Sequence, residues 1–294
     1  MNVTTAVIFA SGFGSRMLPV TAAVQKELLP ILNRPVVDYV VADCIAAGIT
    51  NIIFVIRPGS HALQDYYVGN PGLENHLERF GKHKALTELE ELHQKATFKF
   101  VEQPASAGYG TAVPLRVAAK HLPPHEAFLA CDGDAFSWRT DGQSETAALV
   151  ETFHRTGAKG ALMALERPTD QLHRYGVLKI REREGNEYLD EIIEKPAPAE
   201  APSNLINISK YIMTPELIPY VTDVQISPKL GEYLLTDAMQ AAATDHPVAV
   251  YRAQGSFLDT GNTAGWLQAN LTVSMSRPEL KPILDQLTAQ KSLR

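Results

Sequence analysis

The chain is poor in the residues and patterns that several protein classes require. Only two cysteines occur in 294 residues, Cys44 and Cys131, each inside an apolar run, so neither a disulfide framework nor a zinc-ligand spacing exists. Two buried, reduced thiols are expected, as in a cytoplasmic protein. No stretch reaches the roughly 18 consecutive apolar residues of a membrane-spanning helix, and "MNVTTAVIFASG" lacks a basic segment ahead of its apolar run. A basic excess is also missing. With 27 Lys+Arg against 33 Asp+Glu, the net charge is −6, which disfavours duplex nucleic acid as the main partner. None of the nine histidines falls in a His-Glu-x-x-His pattern, and His121 and His125 flank two prolines. No Gly-x-Ser-x-Gly elbow is present either. Zinc-peptidase and serine-hydrolase chemistries are therefore disfavoured.

What remains has the composition of an ordinary globular protein, 45% hydrophobic and 20% charged. Short β-branched runs alternate with helical patterns through the first half, the arrangement of βαβ units around a parallel sheet. "TTAVIFA" (4–10), "NIIFVI" (51–56), "TFKFVEQ" (97–103) and "AFLACD" (127–132) read as strands. Residues 35–48 read as a helix closed by Gly48, residues 108–122 as a helix that Pro114 distorts, and residues 72–95 as a charged helical excursion on the surface. After residue 158 strands dominate: "KGALMALE", "GVLKIRE", "YLDEIIEK" and "LINISKYIM", then a helix over 231–245, a strand "PVAVYRA" and a helical end from about 262.

Between the first strand and the first helix stands "FASGFGSRMLPVTAAVQKELLP" (9–30). Glycines leaving the carboxyl end of a strand let backbone N–H groups approach phosphate oxygens, and Arg16 and Lys26 supply cations. Two familiar phosphate loops are excluded. The dinucleotide fingerprint needs a third glycine where Met17 stands, and the Gly-Lys-Ser/Thr of a Walker A loop is absent.

The series Gly12, Gly14, Ser15, Arg16, Pro19, Thr21, Lys26 and Pro30 resembles the G-x-G-T/S-R-x-x-P-x-T, then K-x-x-x-P, pattern of the sugar-1-phosphate nucleotidylyltransferases. "VVADCIAAGIT" (40–50) and the helical excursion favour that family's uridylyltransferase branch, and the similarity runs in order to about residue 275. The resemblance implies an α/β fold: a Rossmann-like open, mixed and mainly parallel sheet flanked by helices, with a β-rich sugar-binding extension. One nucleotidyltransferase domain is expected over 1–275, with a nucleotide-binding part at 1–157, a sugar-binding part at 158–261 and a C-terminal helical region at 262–294.

By the same resemblance, Gly12, Gly14, Ser15, Arg16 and Lys26 hold the nucleotide's phosphates, and Gln103 with Gly108 binds the pyrimidine in "EQPASAGYGTAV". Asp134 of "LACDGDAF" and Asp259 of "FLDTGN" are the expected ligands of Mg²⁺. Gly176, Glu194 and Lys195, from "RYGVLKI" and "IIEKP", form the sugar-phosphate side. Arg16, Lys26 and Lys195 are the expected catalytic cations. The implied substrates are UTP, or dTTP, and a hexose 1-phosphate, with UDP-glucose and pyrophosphate as products. A homodimer or homotetramer is expected, with neither nucleic acid nor membrane as partner. Thymidylyl transfer and a non-catalytic nucleotide-sugar-binding regulatory subunit stand as the alternatives. Four positions depart from the close family pattern: Ser15 stands for the usual threonine and keeps its hydroxyl, Gln25 stands for a proline, Asp132 adds an acid, and Ser209 stands for a glycine near the sugar.

Overall fold

The first strand, β1 (Val3–Ala10), is buried along nearly its whole length, as a strand covered on both faces must be. The computed structural model describes residues 1–82, 84 and 87–291. Residues 83, 85 and 86 of the expected helical excursion and 292–294 of the helical end lie outside the described residues.

In chain order the strands that follow are β2 (Pro30–Ile31), β3 (Arg34–Pro35), β4 (Asn51–Ile56), β5 (Thr97–Glu102), β6 (Ala127–Asp132), β7 (Ala135–Trp138) and β8 (Gly160–Glu166). They continue with β9 (Gly176–Arg183), β10 (Asn186–Glu194), β11 (Leu205–Met213), β12 (Val248–Arg252) and β13 (Ser256–Asp259). The helices are α1 (Val36–Ala46), α2 (Ala62–Val68), α3 (Pro71–Arg79), α4 (Thr87–His93), α5 (Val113–Ala118) and α6 (Glu145–Thr156). The last four are α7 (Ile218–Thr222), α8 (Leu235–Asp245), α9 (Thr263–Met275) and α10 (Lys281–Lys291).

The chain divides into two compact, discontinuous units. The first holds residues 1–12, 41–132 and 144–254. Its nine-stranded sheet has the order β5-β4-β1-β6-β11-β8-β12-β10-β9. Strands β5, β4, β1 and β6 are parallel neighbours, whereas β11 runs antiparallel to both β6 and β8. Helix α5 packs on β1 and β4, α6 on β8 and β12, and α8 on β10. Val7, Phe54, Phe128, Leu129, Leu162 and Met163 are among the buried side chains of this core. The mixed order and the β-rich second half agree with the expected fold.

The second unit comprises residues 13–40, 133–143 and 255–294. It contains the β2–β3 hairpin, the antiparallel pair β7–β13, and helices α9 and α10.

Two helices are shorter than the sequence suggests, for one reason. Gly108 (φ 92°) and Gly110 (φ 133°) hold backbone conformations closed to a helix. A Cβ on Gly110 would stand 2.3 Å from the Tyr233 carbonyl oxygen. Main-chain bonds tie the two segments together, Tyr233 N–H to Tyr109 (2.9 Å) and Ala112 N–H to Tyr233 (3.0 Å). That pairing delays α5 to Val113 and α8 to Leu235. Pro114 lies in the first turn of α5, where no N–H is needed, so it opens the helix instead of distorting it.

Candidate active site

In the second unit, the glycine-rich segment is fixed by a close approach. Gly14 is left-handed (φ 67°), and a Cβ there would lie 3.0 Å from Thr21 Cγ2 and 3.2 Å from Lys26 Cβ. The Thr21 hydroxyl donates to the Gly14 carbonyl at 2.8 Å. Glycine is therefore required on two counts. Single-turn 3-10 segments at Ser15–Met17 and Lys26–Leu28 then carry Arg16 and Lys26.

Strand pairing supplies the acids. In β7–β13, Asp259 lies opposite Ala135. The N–H and hydroxyl of Thr260 both donate to the Asp134 carbonyl, at 3.1 and 2.7 Å. Asp134 and Asp259 are thus neighbours although 125 positions separate them (259 − 134). Lys26 Nζ donates to Asp134 Oδ2 at 2.6 Å and lies 3.5 Å from Glu27 Oε1. Glu27 is wholly buried, and burial pushes its carboxyl up against the opposing pull of Lys26. Sequence reasoning passed over Glu27, because nothing in "KELLP" reports its burial.

Gly261 marks the point where the charged groups converge. A Cβ built there would be 2.7 Å from an Arg16 guanidinium nitrogen, 3.0 Å from Asp259 Oδ1 and 3.3 Å from Asp134 Oδ2. Its N–H donates to Asp259 Oδ1 at 2.9 Å. The following residue, Asn262, caps α9 by accepting from the Gly265 N–H at 3.0 Å. Gly261→Ala is therefore expected to displace Arg16 and the carboxylates while leaving α9 capped. Activity should fall roughly 10²-fold, the order that a displacement of about 1 Å costs at a reacting centre. An unchanged far-ultraviolet circular dichroism spectrum would show that the fold survives, and unchanged activity would contradict the geometry.

The first unit holds two further groups of the expected residues. Gln103 follows β5, and its Oε1 accepts from the Ser11 hydroxyl at 2.7 Å. Its Nε2 points to the Gly108 carbonyl at 3.4 Å. A Cβ on Gly108 would lie 2.8 Å from the Tyr233 ring, so in this structure Gly108 makes room for Tyr233.

The second group lies around β9 and β10, where Gly176 and Glu194 face each other in register. A Cβ at Gly176 would approach Glu194 Oε2 to 3.0 Å. Burial pushes the Glu194 carboxyl up, against the opposing pull of Lys195. Lys195 is left-handed (φ 46°), donates its N–H to the Tyr175 carbonyl (3.0 Å) and holds Nζ 3.8 Å from Glu194 Oε1. Gly176 and Glu194 line a cavity of about 90 Å³ together with Asp132, Arg174, Asn207 and Ser209. The extra acid Asp132 faces this cavity, a placement that its position in "LACDGDAF" did not reveal. A larger cavity of about 560 Å³ lies among α2, α3 and α4, lined by Tyr66, Tyr67 and Glu74, and holds none of the expected residues.

A glycine-rich turn after the first strand, strand-end acids and loop cations on a mixed α/β sheet define an enzyme that handles nucleotide phosphates. The chain belongs to the Nucleotidyl transferase family, which it matches over residues 5–276. It is 32% identical to the UTP–glucose-1-phosphate uridylyltransferase of Bacillus subtilis, covering 97% of this chain and 95% of that one. It is also 32% identical to the enzyme of the same name from Staphylococcus haemolyticus, over 95% of both chains. Among solved structures, the UTP-bound UGPase from Acinetobacter baumannii superposes with a TM-score of 0.87 at 26% identity, over 98% of this chain and 99% of that one.

Proposed function

We propose that the protein transfers the uridylyl group of UTP to glucose 1-phosphate, giving UDP-glucose and pyrophosphate. A phosphate oxygen of the sugar phosphate forms a bond to the α-phosphorus of UTP, and the bond from that phosphorus to the bridging oxygen of pyrophosphate breaks. The nucleophile is an anion near neutral pH, so no strong general base is needed. Positioning and charge neutralisation carry the rate.

The observation that carries this reading is the convergence of Arg16, Asp134 and Asp259 around Gly261, with Lys26 held on Asp134. Two adjacent carboxylates offer hard oxygen donors, Asp259 Oδ1 and Asp134 Oδ2 both lying within 3.3 Å of the point where a Cβ on Gly261 would stand, so the residues fit Mg²⁺. Asp134 and Asp259 would hold the ion. When bound, it offsets negative charge on the phosphate oxygens. Arg16 binds the departing pyrophosphate, and Lys26 binds phosphate oxygens at the reacting centre. Gln103 offers an amide donor and acceptor to the uracil imide. Glu194 accepts from sugar hydroxyls, Gly176 leaves room for the ring, and Lys195 orients the sugar phosphate. The two buried free thiols, Cys44 and Cys131, suit a reducing cytoplasm.

The test is pyrophosphate release with UTP, dTTP, CTP, ATP and GTP against the 1-phosphates of glucose, galactose and N-acetylglucosamine. UTP with glucose 1-phosphate is expected among the best pairs, and its absence from them would sink the specific reading. Release with none of the pairs in the presence of Mg²⁺ would favour a binding subunit.

A further inference from the structure

Among the described residues, Ser209 is one of four non-glycine positions with positive φ, and it lies within a strand. At φ 52° it sits inside β11 at the point where the β8–β11 register slips between Asn207 and Tyr211. Left-handed backbone is unfavourable for a side chain with a Cβ, and where it occurs inside a sheet the surrounding structure must hold it in place. Here that structure is visible. The Ser209 N–H donates to Asn207 Oδ1 at 3.2 Å, and Asn207 Nδ2 donates to the Tyr211 hydroxyl. Asn207 and Tyr211 are both buried, so the bulge is braced from the protein side.

The bulge presents Ser209 to the small polar cavity that contains Gly176 and Glu194. Its hydroxyl lies beside that of Tyr211. A hydroxyl that donates there keeps lone pairs with which to accept from a ligand. Sheet geometry has no use for a serine at this angle, since glycine would adopt it without cost.

On the reading that this cavity takes the hexose of the sugar phosphate, we infer that the Ser209 hydroxyl is a specificity determinant that accepts a hydrogen bond from one hydroxyl of the sugar ring. The ligand is then a hexose 1-phosphate with a free hydroxyl at that position. A ring lacking it leaves a polar group of the cavity without its partner.

The experiment is a cycle of enzyme variant against substrate analogue. Wild type, Ser209→Ala and Ser209→Gly are each assayed with glucose 1-phosphate and its 2-, 3-, 4- and 6-deoxy analogues at saturating UTP. Glycine suits the backbone at this angle, so Ser209→Gly folds, and alanine removes the hydroxyl while keeping the Cβ. Wild type is expected to penalise one analogue through Ser209 by roughly 3- to 10-fold in kcat/KM, the worth of one neutral hydrogen bond. That increment should vanish in both variants, with the KM for glucose 1-phosphate raised and the KM for UTP unchanged. Identical penalties in all three proteins would overturn the assignment. So would loss of the penalty in Ser209→Gly alone, which would place the effect in the backbone. If wild type turns over none of these sugars, the proposed function itself fails. Turnover with a flat cycle removes only Ser209.

Discussion

Lys26→Ala is expected to lower turnover by roughly 10²–10³, or about 3–4 kcal/mol of transition-state stabilisation. The ammonium lies 2.6 Å from Asp134 and 3.5 Å from Glu27, so it is the positive charge around which the acids of this segment are arranged. In the proposed reaction negative charge redistributes over the phosphate oxygens at the reacting centre, and a fixed cation that strengthens its contact there in the transition state raises kcat, not merely affinity. Removing it also leaves the buried Glu27 carboxylate without that compensation. Lys26→Arg keeps the charge while replacing a compact ammonium by a planar fork, and should recover only part of the activity. Steady-state kinetics on variants with native circular dichroism make the comparison, and unchanged turnover in Lys26→Ala would remove Lys26 from the chemistry.

Lys210→Met is expected to cost roughly 3–5 kcal/mol of folding stability, the penalty for breaking one side of a buried ion pair. Lys210 Nζ donates to Asp43 Oδ2 and to the Thr146 hydroxyl, both at 2.7 Å. The Ser144 hydroxyl donates to Asp43 Oδ1 at 2.6 Å, and the Thr146 hydroxyl bonds the other carboxylate oxygen. Within the first unit this knot joins the Asp43 turn of α1, the N-terminus of α6 and the centre of β11. Burial works to raise the Asp43 carboxyl, but Lys210 and the three hydrogen bonds outweigh it and hold the group below its ordinary 3.8. Burial likewise works to lower the Lys210 ammonium, and the Asp43 charge reverses that and raises it above its ordinary 10.5.

The two signs define the pH window. The Asp43 contribution is present above the ordinary carboxylate value and is lost as pH falls through the lowered native one. The Lys210 contribution is present below the ordinary lysine value and is lost as pH rises through the raised native one. From mildly acidic to mildly alkaline pH the pair is therefore intact. Urea unfolding of Lys210→Met should show its full loss across that range. Replacing Asp43 by leucine in the same chain should return part of the stability by removing the stranded carboxylate. A single variant as stable as wild type would contradict the account.

Much of the fold is written in local patterns. The runs at 4–10, 51–56 and 127–132 are largely apolar because their strands are covered on both faces, with polar residues only at their ends, and the observed strands coincide closely with them. The misreadings arose where distant backbone intervenes. Neither the start of α5 nor that of α8 shows locally, because main-chain bonds from Tyr233 to Tyr109 and Ala112, more than 120 positions away in sequence, set both. Strand β7 was missed because four residues are too few to show an alternation.

The candidate site divides in the same way. Arg16 and Lys26 stand out from their spacing, and Asp134 and Asp259 from their place after apolar runs. Their proximity depends on the β7–β13 register, which no local pattern reports. The burial of Glu27, the left-handed turn at Ser209 and the presence of Asp132 in the small polar cavity are likewise products of tertiary packing.

The central claim is that a sugar phosphate oxygen displaces pyrophosphate from the α-phosphorus. Incubating the protein with Mg²⁺, glucose 1-phosphate and UTP labelled at its α-phosphate tests this most directly. All of the transferred label is predicted in UDP-glucose, formed in equal amount with unlabelled pyrophosphate and only when the sugar phosphate is present. Label in free UMP, or pyrophosphate released without glucose 1-phosphate, would contradict it.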